Sequence, residues 1–273
     1  MKILYYLPDV LNPFWNLVVS GIKQSAKQGG VDFEAISANH SDSLQNSQVK
    51  AFKEKRPDAI LISPIDIKAI DRICPIISEA GIPIVVIDQY VTANVTACII
   101  SGNLRGGTAA GKYFIDQLSK GGRIVHIQAE DFENAIMRRK SFINKVTQQR
   151  DFTIIKTIQA DGDRNKAYEQ MKSFLREGIT FNGLFAENDA MALGAIQALK
   201  EKQFSPWPIV VGYDGLQEAL DAIREGSMSA TIAQDPVTMG KKAYEVALKV
   251  IQKKPYEELT TIMPNLVTRA NLS

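Results

Sequence analysis

Gly106-Gly107-Thr108-Ala109-Ala110-Gly111-Lys112 has the glycine and lysine spacing of a loop that cradles phosphate. That chemistry also needs Ser or Thr at the next position to hold magnesium, and Tyr113 stands there. The glycines read as part of a helix, where small residues let a neighbouring helix approach. Asp161-Gly162-Asp163-Arg164-Asn165 imitates the opening of a calcium loop. Lys166 replaces the glycine of its sixth position, and Lys172 replaces the chelating glutamate of its twelfth. Asp163 reads instead as a helix N-cap. Ser20 with Lys23 and Ser47 with Lys50 fit the Ser-x-x-Lys spacing of acyl-serine enzymes, but in two unrelated helices, and no Gly-x-Ser-x-Gly elbow occurs. His40 and His126 are the only histidines, and Cys74 and Cys98 the only cysteines; their spacing builds no zinc site. His126 sits inside an apolar strand and reads as a core histidine. The two cysteines read as buried thiols. No catalytic residue, metal or cofactor is expected.

Asn12-Pro13-Phe14-Trp15 offers different chemistry. Two adjacent aromatics at a strand-to-helix turn present an apolar wall beside polar groups. A sugar has the matching pair of surfaces, an apolar C–H face and a ring of hydroxyls. Carboxylates, amides and arginine can clamp neighbouring hydroxyls, because each hydroxyl both donates and accepts. Asp88, Arg138, Asn188, Asp214 and Gln234 are of the right types, and each falls at or soon after the end of an apolar run.

Those runs are the elements that must position them. Lys2 to Leu7 reads as a strand, and Phe14 to Gln28 shows helical spacing. Strand-like runs recur at 31–38, 59–63, 82–87, 95–101, 123–128, 152–159, 183–186, 209–212 and 229–233, mostly separated by helical stretches. Continuous apolar strands alternating with helices specify parallel sheets covered on both faces. About ten strands exceed one simple sheet of ordinary size. Two successive β/α series of similar length, with no Ser/Gly/Pro-rich linker between them, predict two α/β lobes joined by strands rather than by a tether. Ligands of open α/β sheets sit at the carboxyl ends of the strands. The residues to watch therefore include Asp9 to Trp15, Ser63-Pro64, Asp88-Gln89, Asn103, Glu130 to Asn134, Ala160 to Asp163, Glu187 to Asp189, Asp214 and Gln234-Asp235.

Composition narrows the partners. Thirty-two basic residues against thirty acidic ones give no field that would gather nucleic acid or an anionic membrane. No run approaches the roughly 18 apolar residues of a membrane span. The opening Met1-Lys2-Ile3-Leu4-Tyr5-Tyr6-Leu7 carries one charge and a short apolar run that stops at Pro8, unlike a secretory signal. That predicts either a cytoplasmic protein or a processed or trimmed chain.

Five segments in this order resemble the type I periplasmic sugar-binding proteins, the ribose-binding group in particular. They are Asn12 to Trp15, Ile82 to Asp88, Asn188 to Ala195, Val210 to Gly215 and Ala230 to Gln234. The resemblance covers essentially the whole chain. It implies two Rossmann-like lobes with parallel sheets joined by a three-stranded hinge, a ligand in the cleft between them, and hinge closure. The lobes it implies are 1–103 plus 236–263 and 104–235 plus 264–273, with crossings near Asn103, Asp235 and Pro264. Asn12 and Asp88 would take ligand hydroxyls from the first lobe, Phe14 and Trp15 would stack, and Arg138, Asn188, Asp214 and Gln234 would complete the set. Ribose binders carry arginine where this chain has Gln89, a neutral donor and acceptor. They carry a stacking phenylalanine where it has Gly162, and aspartate in the middle of Ser101-Gly102-Asn103. These departures point to a larger or differently oriented monosaccharide or polyol, such as a hexose or an inositol.

The implied role is non-catalytic capture of such a solute by a periplasmic or extracytoplasmic monomer that serves an ABC sugar transporter, with a membrane permease or receptor as partner. The same fold serves as the sugar-sensing domain of larger signalling proteins and lac-type regulators, which is the alternative reading. An enzyme on the same frame is the third.

Overall fold

The computed structural model describes residues 1–129 and 132–272. Along the chain run β1 (Lys2–Leu7), α1 (Pro13–Gly29), β2 (Asp32–Ser37), α2 (Asp42–Lys50), α3 (Phe52–Lys55), β3 (Ala59–Ile62), α4 (Ile67–Glu79), β4 (Ile84–Ile87) and β5 (Ala97–Ser101). Next come α5 (Asn103–Gln117), β6 (Gly122–Gln128), α6 (Glu133–Thr147), β7 (Phe152–Gln159), α7 (Arg164–Leu175), β8 (Gly183–Ala186), α8 (Asp189–Lys202), β9 (Ile209–Asp214), α9 (Gln217–Glu225) and β10 (Ala230–Ala233). The chain closes with α10 (Pro236–Ile251), β11 (Leu259–Ile262) and β12 (Asn265–Thr268).

It divides into two compact units, Met1–Ser101 with Asp235–Ile262, and Gly102–Gln234 with Met263–Ser273. Unit 1 holds a sheet in the order β11-β5-β4-β3-β1-β2, with every pairing parallel. Alternation along β1 sends Ile3, Tyr5 and Leu7 to one face, against Phe14, Val18 and Ile22 of α1 and Met239 and Ala243 of α10. Leu4 and Tyr6 go to the other face, against Phe52 and the Ile70, Ile73 and Ile77 stripe of α4. Cys74 and Cys98 are free thiols buried in that second layer. Asn12 begins α1 as a cap ahead of Pro13, whose missing N–H costs nothing at that position.

Unit 2 repeats the plan, β12-β10-β9-β8-β6-β7. The sheet is parallel as expected except at one edge, where β12 runs antiparallel to β10. No crossover helix leads into β12, so the right-handed β-α-β connection that makes neighbours parallel is missing there. The glycine and lysine run lies inside α5, ahead of no phosphate loop. A side chain at Gly107 would collide with the Arg138 carbonyl and Ser141 of α6, and one at Gly111 with Lys145. The spacing is that of a tight helix pair. Asp163 caps α7 through the Lys166 N–H, 2.7 Å away.

In each sheet the chain order reverses beside the first strand of the unit, β1 or β6, so the carboxyl ends around it form a topological switch point.

Candidate functional site

In unit 1 the loop after β1 is organised by Asp9. Its Oδ1 accepts from the Leu11 and Asn12 N–H groups at 2.7 and 2.8 Å. Asn12 Oδ1 in turn accepts from the Phe14 N–H at 2.9 Å, so this oxygen is engaged as a helix cap. The two aromatics divide their roles. Phe14 is buried in the core of unit 1, while Trp15 meets it edge-on at 4.9 Å and stays only partly buried. Asp88 follows β4 with φ 69°, a left-handed conformation that is costly for a residue with a side chain. Its N–H donates to the Ile99 carbonyl at 2.8 Å, which ties the strained turn to β5. Gln89, 5% exposed, buries an Oε1 that accepts no hydrogen bond among the described residues.

In unit 2 Arg138, on α6, is 5% exposed. Its guanidinium carbon lies over the Tyr213 ring, 3.4 Å from the centroid, and the group donates to the Glu187 carbonyl and, at 3.0 Å, to Asn103 Oδ1. Its Nε is buried and makes no hydrogen bond among the described residues. Tyr213 also donates to Asn103 Oδ1, at 3.2 Å. Asp214 ends β9 with φ 118°, the counterpart of Asp88 in chain order and in strain. Gln234 Nε2 donates to Asp214 at 2.7 Å and leaves its own Oε1 buried and without a partner. Burial pushes the Asp214 carboxyl up to about 6, against the opposing pull of Arg138 and the Gln234 bond. Asp189 is raised further, by its burial and then by the charge of Asp214; bonds from Thr231, Leu216 and Gly215 oppose the rise.

Beneath Arg138 lies an ionic cluster that sequence reading passed over. Glu187 is fully buried and accepts from His126 Nε2 at 2.8 Å, Arg139 Nε at 2.7 Å and the Ala129 N–H at 2.8 Å. Burial pushes its carboxyl up, but His126 and Arg139 outweigh that and hold it below the usual carboxylate range. Asn188 caps α8, with Oδ1 accepting from the Met191 N–H at 2.8 Å and Nδ2 donating to the Gly162 carbonyl at 3.0 Å. A side chain at Gly162 would meet only that Nδ2, at 3.5 Å, so the position is open.

Unit 1 therefore gathers Asp88, Gln89 and the exposed part of Trp15 at its strand ends, and unit 2 gathers Arg138, Asp214 and Gln234. Asn12 and Asn188 stand beside them with their carbonyl oxygens committed to caps. Asn103, one of the strand-end residues to watch and an expected crossing, and Tyr213, next to the strand-end aspartate, hold Arg138; neither is expected from the sequence to take part in ligand binding. Glu130 and Asp131 lie outside the described residues. Among the described residues no group of His, Cys, Asp and Glu could hold a metal, and no helix is long and apolar enough to cross a membrane. The clusters hold hydrogen-bond donors, acceptors and an aromatic edge, the means of gripping a polyhydroxylated molecule.

Residues 3–255 match the periplasmic binding protein domain family. The chain is 30% identical over 259 residues to the ribose import binding protein RbsB of Bacillus subtilis, covering 94% of this chain and 84% of that one. Among solved structures it resembles an ABC transporter solute-binding protein from Bacillus halodurans with bound myo-inositol, with TM-score 0.93, 26% identity and coverage of 99% and 95%. It likewise resembles one from Mycobacterium smegmatis with bound glycerol, with TM-score 0.93, 29% identity and coverage of 100% and 95%.

Proposed function

The chain belongs to the periplasmic binding protein domain family, and from that premise we propose that it captures a monosaccharide or related polyol as the solute-binding component of an ABC sugar transporter. The strand ends of each unit carry polar groups suited to gripping the hydroxyls of such a ligand. No bond is broken. The protein works outside the cytoplasm as a monomer and hands its ligand to a membrane permease, and nucleic acid plays no part. The relatives named above, with ribose import in one name and myo-inositol or glycerol in the others, support this class of ligand.

The observation that carries the reading is a set of buried polar atoms without partners among the described residues, at the strand ends: Gln89 Oε1, Arg138 Nε and Gln234 Oε1. A native fold satisfies nearly all such atoms. Acceptors and a donor left over at the place where α/β sheets bind their ligands match the alternating donors and acceptors of a polyol. The open position at Gly162 favours a hexose or inositol over a pentose.

A thermal-shift scan against pentoses, hexoses and inositols tests this. A ligand at about a hundred times its Kd adds about 2.7 kcal/mol of stability, a shift of several degrees. A hit among hexoses or inositols is expected. A flat panel contradicts the reading, and binding of ribose with rejection of every hexose and inositol contradicts the size argument.

A further inference from the structure

Asp189 is fully buried, at 0% exposure, and opens α8, where the positive end of the helix favours a carboxylate. It fastens three elements of unit 2 to one another. Its Oδ2 accepts from the N–H groups of Gly215 and Leu216, both at 2.8 Å, in the turn that leaves β9. Its Oδ1 accepts from the Thr231 hydroxyl of β10 at 2.7 Å. Gly212 of β9 makes the room, since a Cβ there would come within 2.3 Å of Asp189 Oδ1.

The turn held in this way is the one that carries Asp214. Asp214 and Gly215 follow each other with φ 118° and 77°. A residue with a side chain keeps such a conformation only where its surroundings over-determine it. Downstream, the two N–H groups after Asp214 converge on one carboxylate oxygen. On the other side, the Gln234 N–H donates to the Asp214 carbonyl at 3.0 Å, and the Gln234 side chain to its carboxylate at 2.7 Å. Thr231 lies on the strand that leads into Gln234, so Asp189 steadies that partner as well. Asp189 itself has no exposed surface through which to touch a solute.

We propose, on the reading that Asp214 takes a ligand hydroxyl, that Asp189 is a positioning residue: it holds the strained turn so that Asp214 and Gln234 present their polar atoms to the ligand. Hydrogen bonds weaken steeply as their angle departs from linear, so a turn that relaxes loses affinity although no ligand contact has been removed.

Titration calorimetry with D-ribose, D-allose, D-glucose and myo-inositol tests the assignment through a double-mutant cycle. Asp189→Ala should weaken the tightest of the four by about tenfold or more, the scale of bonds to a charged group. Asp189→Asn keeps an oxygen for the two N–H groups and an amide for the Thr231 hydroxyl, and should return affinity to within about threefold of wild type. In an Asp214→Ala background, Asp189→Ala should change affinity by less than about twofold, because the carboxylate it positions is gone; a merely structural loss would multiply with that of Asp214→Ala. Thr231→Val removes one of the three bonds and should weaken binding by about threefold, which keeps the test decisive where Asp189→Ala does not fold. Unchanged affinity in the Asp189→Ala or Thr231→Val protein, losses that multiply, or Asp189→Asn as weak as Asp189→Ala would overturn the proposal and leave sugar capture intact. Silence of all four probes on the wild-type protein would overturn it together with the sugar reading on which it rests.

Discussion

The two units place different chemistry on equivalent positions of the same fold. In unit 1, Tyr5 of β1 reaches Ser63, just beyond β3, with a 2.8 Å hydrogen bond between hydroxyls. In unit 2, His126 of β6 reaches Glu187, just beyond β8, over the same 2.8 Å. Tyr5 lies beside Leu61 in the sheet register and His126 beside Phe185, so each partner is two residues past its neighbour. Each unit then puts a strained aspartate after its fourth strand, Asp88 or Asp214. The plan is shared, but the electrostatics differ. Unit 1 links its first strand to the end of its third through a neutral pair, Tyr5 and Ser63. Unit 2 supports its aspartate with a buried ionic cluster, in which Glu187 fixes Arg139 through its side chain and Arg138 through its backbone carbonyl. A single backbone architecture thus supplies a neutral pair in one unit and a buried ionic clamp at the equivalent position of the other.

The largest effect that would break this comparison is loss of the clamp. Arg138→Ala leaves the Glu187 carbonyl and Asn103 short of a donor and Asp214 without its cation. It should lower sugar affinity by about a hundredfold or more and cost about 3 kcal/mol of stability. Calorimetry and urea unfolding would check both, and unchanged affinity would remove Arg138 from the site. Next comes the paired test of the equivalent positions. Glu187→Gln removes the buried carboxylate charge that pairs with His126 and Arg139 and should cost about 3 kcal/mol, whereas Ser63→Ala removes one neutral hydrogen bond and should cost about 1 kcal/mol. Equal losses in urea would erase the distinction drawn between the units.

The acid and base limits of the two carboxylates in unit 2 run in opposite directions. Asp214 has a folded value raised to about 6 from its ordinary 3.8, so its contribution to stability is fully present below 3.8 and is lost as pH rises through 6. Glu187 is lowered, so its contribution is present above its ordinary value of 4.5 and is lost as pH falls through its folded value. Asp214→Asn should therefore remove a fall in stability on the order of 2 kcal/mol between pH 4 and pH 6.5, visible in a pH series of melting curves. An unchanged pH profile would mean that Asp214 is not the group responsible. The smallest effect separates the two aromatics. Trp15→Ala should leave stability within about 1 kcal/mol while weakening sugar binding, whereas Phe14→Ala should cost about 3 kcal/mol or more as a core cavity. Melting curves of the two variants distinguish the roles.

Strand order and lobe plan were legible because buried parallel strands are continuous apolar runs; Phe152 to Gln159 and Gly183 to Ala186 were read residue for residue. β11 and β12 were missed. Each is four residues long and largely outside the buried core, and only Met263-Pro264 separates them, so neither periodicity nor an intervening helix marked them. Asn12 and Asn188 show the limit at the site. An amide after a strand reads the same whether it faces a ligand or caps the next helix, and only the geometry revealed the bonds to Phe14 and Met191. The role of Asn103 and Tyr213 in holding Arg138 was not legible, because it depends on a contact between residues 35 positions or more apart in the chain.

The most direct test of the central claim is titration calorimetry of the wild-type protein with each hit of the sugar panel, followed by recovery and chemical analysis of the ligand. The account predicts saturation at one ligand per chain, with the sugar or polyol returned unaltered. Two independent ligands per chain, or a chemically changed product, would contradict it.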